Sequence, residues 1–155
     1  MYWIRIVFLS FLLVFLGCNV TAQKAKKFKK KELKLIEKGL PNEPMCVLTI
    51  INKKDSVFLR KACKKVDVQK NQAQLNYFAK RLITTVQNPS NMGVGIAAPQ
   101  VGLGRQIIVV QRFDKDDTPF EVYVNPVIVS CSEEKKLGKE GCLSIPDFQA
   151  EVFRP

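Results

Sequence analysis

Two short stretches hold the residues best suited to chemistry. In Gly93-x-Gly95-x-Ala97-Ala98-Pro99-Gln100, small side chains clear a groove for an extended ligand, and a glutamine offers a side-chain N–H to a developing negative charge. In Glu140-Gly141-Cys142-Leu143-Ser144, the thiolate of Cys142 is able to bind a metal, and the backbone N–H after it is able to face the same reacting atom. Each stretch alone has a plainer reading, because a glycine-rich run is most often a turn and a single cysteine most often a small core residue. By residue type, the pair allows a metal hydrolase or a cysteine nucleophile without deciding between them. The chain has no histidine, which removes the commonest general base and the commonest metal ligand together.

The elements that must position these residues follow from composition and periodicity. The 155 residues carry 25 Lys and Arg against 14 Asp and Glu, with 46% apolar residues. This composition bounds the chain to one globular domain and excludes collagen, coiled coil and wholesale disorder. The net charge of +11 is uneven: residues 23–38 hold eight lysines against Glu32 and Glu37. Like charges extend a chain, so residues 23–45 are expected to form a solvated basic tail and linker. No aromatic interleaving supports base stacking, and no nucleic-acid partner is expected.

Residues 1–22 read as a signal peptide. A single Arg5 precedes an uncharged apolar run from Ile6 to Gly17, and Val20-Thr21-Ala22 suits a signal-peptidase cleft before Gln23. The competing readings are an uncleaved anchor and a lipoprotein modified at Cys18. The expected location is therefore exported, either periplasmic or membrane-associated, with membrane contact through this segment and the lysine-rich tail. Cys46, Cys63 and Cys131 read as small buried hydrophobes, although an exported domain would permit disulfides.

The fold class predicted for the remainder is α+β, with mostly antiparallel strands packed on one main helix. Apolar residues at Leu75, Phe78, Ala79, Leu82, Ile83 and Val86 have helical spacing and place that helix over residues 71–87. Residues 33–38 suit a turn or two of helix, and residues 47–51 a strand or extended arm. Residues 93–102 read as a strand-edge loop whose backbone approaches something closely. Residues 106–112 and 120–124 read as paired strands around a polar turn, and residues 127–131 as a continuation of the strand pattern.

The two motifs, in this order, resemble those of the peptide deformylase family: the first its glycine-alanine-proline-glutamine motif, the second its Glu-Gly-Cys-Leu-Ser motif. Val47-Leu48-Thr49-Ile50, Leu59-Arg60-Lys61 and Val124-Asn125-Pro126 support the likeness, which runs over residues 46–155 and marks a partial domain of that kind. The resemblance implies hydrolysis of the N-formyl group of formyl-methionine peptides by a divalent metal, usually ferrous iron. It places Cys142 among the metal ligands, and Gln100 with the Leu143 N–H on the carbonyl oxygen. Val94, Gly95 and Ile96 would hydrogen-bond the substrate as an added strand.

The resemblance also implies two histidine ligands and a glutamate base from a His-Glu-x-x-x-His helix after the cysteine motif. No such pattern occurs in the sequence. The chain is expected to be a truncated or frameshifted deformylase-like enzyme with an incomplete fold, holding its metal poorly and inactive alone. The alternatives are a non-catalytic binding module for formylated or N-terminal Met peptides, and a basic membrane-proximal protein without a peptide function.

Overall fold

The structure is a computed structural model and describes residues 24–155. The expectations for residues 1–22, including Cys18, lie outside the described residues. The chain order is α1 (Lys30–Ile36), α2 (Lys53–Leu59), α3 (Gln72–Gln87), β1 (Gly95–Ala97), β2 (Ile107–Gln111), β3 (Phe120–Val124), β4 (Lys136–Cys142) and β5 (Ile145–Arg154). Strands β1, β2 and β3 form an antiparallel sheet in that order, and β4 pairs with β5 in a separate hairpin. The fold is α+β, as the sequence predicts.

Helix α3 is the organising element. Its residues Leu75, Phe78, Leu82 and Val86 recur at three- and four-residue spacing and are buried. They meet Ile96, Val101, Leu103, Ile107 and Val109 in one core. A three-stranded sheet thereby covers the apolar face of one helix. Helix α2 has no buried residue and only seven positions, too few for an apolar stripe to register. Its sequence signal is the cap: the Asn52 side chain accepts from the N–H groups of Lys54 (2.9 Å) and Asp55 (3.3 Å).

Residues 24–45 are not a solvated tether. Their lysines are exposed, but Phe28, Ile36 and Met45 are buried in the core. Burying apolar side chains of this size stabilises by about 1.5–3 kcal/mol each, which outweighs screened repulsion among exposed lysines. The segment's polar groups are also satisfied by the domain. The Phe28 N–H donates to Asn71 Oδ1 (3.0 Å) and the Met45 N–H to Thr85 Oγ1 (2.8 Å). Arg81, buried on α3, donates through Nη1 to the carbonyls of Leu35 (3.3 Å) and Ile36 (3.1 Å), two of the carbonyls that the last turn of α1 leaves without helical partners.

Two further expectations change. Residues 127–131 form no strand: Asn125 turns left-handed at φ 54°, Pro126 has no N–H for a ladder, and the chain leaves the sheet. Cys46 and Cys131 are exposed rather than buried, Cys63 is half-buried, and all three are free thiols. Burial pushes the Cys63 thiol up from its ordinary value. Cys46 borders an open cavity beside Met45 and Leu48, and Cys131 lies in the stretch that has left the sheet. Among the described residues no helix is long and apolar enough to cross a membrane.

The departure of the chain after Asn125 leaves Val127, Ile128 and Val129 at 72%, 82% and 92% exposure, with Leu137, Phe148 and Phe153 of the hairpin also exposed. Exposed apolar side chains in this number favour association. We expect the isolated protein to bind a hydrophobic dye and to associate with rising concentration. Ile128→Lys with Val129→Lys should reduce both signals in dye fluorescence and light scattering. A dye-silent monomer would count against this expectation.

Candidate active site

The two motifs meet in space. After β1 the chain makes one 3₁₀ turn, Ala98–Val101, and Gln100 folds back so that its Oε1 accepts the Ala97 N–H at 2.8 Å. That bond orients the amide: with the oxygen held by a backbone donor, Nε2 must point the other way. It donates to Ser144 Oγ at 3.2 Å and lies 3.9 Å from Cys142 Sγ. Leu143 and Ser144 form the two-residue turn between β4 and β5, where Cys142 pairs with Ile145.

An extended arm holds both halves. The Leu48 N–H donates to the Gln100 carbonyl at 2.7 Å, and the Ile50 N–H to the Ser144 carbonyl at 2.9 Å. Most of the hairpin is exposed, yet Ser144 is buried and Leu143 packs on the core. Gly93 makes that docking possible, since a Cβ there would lie 2.9 Å from Val86 Cγ2 and 3.1 Å from Leu143 Cδ1. The role of Ser144 is absent from the sequence reading, although the residue closes the second motif; only the fold brings it under Gln100.

Strand β1 supplies an open edge. The Gln111 N–H donates to the Val94 carbonyl at 2.8 Å, and the register then runs Gly95 to Val110 and Ile96 to Val109. Antiparallel alternation makes 94/111 and 96/109 the hydrogen-bonded pairs, so the N–H and C=O of Gly95 face away from β2. Of the three expected backbone contacts, Gly95 is placed for an added strand. Ile96 turns its side chain into the core and its polar groups toward β2, while Val94 is exposed beside the opening.

Together these residues border a cleft of about 1190 Å³, with Met92, Val94, Gln100, Cys142, Ile145 and Phe148 among its lining. The motif glutamate points elsewhere: Arg154 donates to Glu140 through Nε and Nη2, both at 2.9 Å, and holds its carboxyl below the ordinary range. In the turn before β3, Asp114 is likewise paired, held by Arg112 at 2.7 Å and 2.5 Å. Among the described residues no three His, Cys, Asp or Glu side chains come together. Cys142 has the neutral Gln100 and Ser144 beside it, which do not complete a three-donor metal site. The residues present therefore do not fit a divalent metal.

Fold and cleft define an α+β domain in which an oriented amide lies beside a cysteine at an open cleft. The polypeptide deformylase family model matches residues 47–155, and the chain belongs to that family. A peptide deformylase of Synechocystis is 35% identical over 122 residues, 78% of this chain and 62% of the relative. Peptide deformylase 1 of Vibrio vulnificus is 48% identical over 73 residues, 47% of this chain and 42% of the relative. The chain thus spans about half the length of these curated relatives. Among solved structures, a class I type b peptide deformylase from Acinetobacter baumannii superposes with a TM-score of 0.62 at 32% identity, covering 72% of this chain and 70% of that one. A Met-Ala-Ser-bound form of the Acinetobacter enzyme gives 0.60 at 32% identity, over 73% and 72% of the two chains.

Proposed function

We propose that these residues form the peptide-binding and carbonyl-facing part of a peptide deformylase, a family whose reaction is metal-dependent hydrolysis of the N-formyl group of formyl-methionine polypeptides. The observation that carries the reading is the Gln100 amide, fixed by the Ala97 N–H and aimed at Cys142. A formyl-methionine peptide would lie along β1 and bond through Gly95. Its thioether would rest among Met92, Val94, Ile145 and Phe148, and its formyl oxygen would face Gln100 Nε2 and the Leu143 N–H. The Met-Ala-Ser peptide bound to the Acinetobacter relative supports a ligand of this class. Membrane contact and export are not needed for this chemistry.

A second reading, a non-catalytic module for formylated or N-terminal Met peptides, rests on the missing metal-donor cluster among the described residues. Both readings require binding. Formyl-Met-Ala-Ser titrated into the isotopically labelled protein is expected to shift the amide signals of Gly95, Gln100 and Leu143, and to leave Tyr123 unmoved. Gln100→Ala should weaken binding several-fold, as expected for a lost hydrogen bond of about 1 kcal/mol. Absence of these shifts would overturn both readings. Turnover after restoration of the missing donors separates them.

A further inference from the structure

The family match begins at residue 47, whereas the segment before it, folded back on the domain, walls a second cavity of about 700 Å³. This cavity shares no lining residue with the peptide cleft. Leu35 and Met45 come from the segment, and Leu48, Phe58 and Val101 from the domain. At its rim stand Lys29, Lys31 and Lys38 from one side and Lys61 and Lys64 from the other. All five lysines are exposed. None has an ion-pair partner among the described residues.

The one carboxylate in the lining, Glu32, is already engaged by Arg105 Nε and Nη2, both at 2.7 Å, and by the Lys29 N–H at 2.6 Å. One carboxylate, already paired with the buried Arg105, leaves the lining with a net positive charge. The cavity therefore pairs an apolar interior with an uncompensated ring of positive charge, and its volume lies within the roughly 300–1,000 Å³ of small-ligand sites. We propose that it binds an amphiphilic anion with one long alkyl chain, of which a free fatty acid is the simplest. The chain would lie between Leu35, Leu48, Phe58 and Val101, and the carboxylate among the lysines. A neutral alkane would leave the lysine charge unrelieved, and a small anion would leave the apolar walls wet.

Cys46 lines this cavity and is exposed, so its alkylation rate reports occupancy. In the full chain, dodecanoate below its micelle concentration is expected to slow alkylation of Cys46, read peptide by peptide by mass spectrometry, and to leave Cys131 unchanged. Dodecanol should need about tenfold higher concentration, the loss of a charge-assisted contact, and acetate should give no protection. Gly104→Leu should abolish protection by filling the cavity, since a Cβ there meets Phe58 Cζ at an ordinary 3.7 Å. Lys61→Glu with Lys64→Glu should weaken protection without changing the melting temperature. The proposal is overturned if dodecanoate gives no protection, if dodecanol equals it, or if the double charge reversal protects as well. Protection by phosphatidylglycerol vesicles in the absence of any by dodecanoate would also overturn it, in favour of a membrane surface.

Discussion

Formyl release from formyl-Met-Ala-Ser by these 155 residues, supplied anaerobically with ferrous iron or nickel, is expected to stay at the uncatalysed background. A competent hydrolytic metal site needs three protein donors and an open position. The sequence has no histidine, and among the described residues Cys142 belongs to no group of three His, Cys, Asp or Glu side chains. Among the described residues the motif glutamate, Glu140, is bound by Arg154 and is not free to act as a positioned general base, a role typically worth about 10²–10⁴-fold. Adding a peptide that carries a His-Glu-x-x-x-His helix, or fusing one after Pro155, should raise turnover above background. In that restored system Cys142→Ala should abolish turnover, and Gln100→Ala should lower it by about 10²–10³-fold, the usual cost of one oxyanion donor. Robust turnover by the unaided chain would overturn the donor count, and binding without turnover in the restored system would favour the binding module.

Glu32→Gln is expected to cost about 2–3 kcal/mol of stability and to loosen the segment before residue 47. Arg105 is only 1% exposed and makes a two-pronged pair with Glu32. It also donates to the carbonyls of Lys26 (3.1 Å), Lys27 (2.7 Å) and Lys65 (3.0 Å) and lies over the Phe28 ring at 5.3 Å. Removing the carboxylate leaves a buried cation without its counter-charge, which costs about 3–5 kcal/mol in a fully buried pair; Glu32 is 21% exposed, which lowers the expected figure. Burial pushes the Glu32 carboxyl up, but Arg105 and the Lys29 N–H together hold it below its ordinary value. The stability it contributes is therefore present above the ordinary glutamate pKa and is lost as pH falls through the lower folded-state value. Denaturant melts of wild type and Glu32→Gln should differ at pH 7 and converge in acid. Tryptic cleavage within the lysine run should be faster in the variant. Equal melts at pH 7 would sink the idea.

The parts of this protein legible in its sequence are those whose signal is local. Helix α3 shows itself because Leu75, Phe78, Leu82 and Val86 repeat at the helical period. Strands β2 and β3 show themselves because apolar runs flank a polar turn. Gln100 and Cys142 stand out because small residues surround them in two short motifs. The hairpin of β4 and β5 is illegible in the same way: every β4 residue is exposed, so no apolar alternation marks it. Residues 127–131 mislead for the opposite reason, being strand-like in composition but turned off the sheet at Asn125.

What the sequence by itself determined was the α+β class, the main helix, the family motifs and the lack of imidazole. Only the tertiary structure decided that the lysine-rich segment packs on the domain, because that outcome rests on Arg105 meeting Glu32 across 73 positions and on Phe28 meeting the core. Tertiary structure likewise decided that Gln100 is aimed by Ala97 and seated on Ser144, and that Gly95 rather than Ile96 faces the open edge. Local propensity fixes a residue's own backbone, whereas these contacts depend on which distant groups the folded chain brings within a few ångströms.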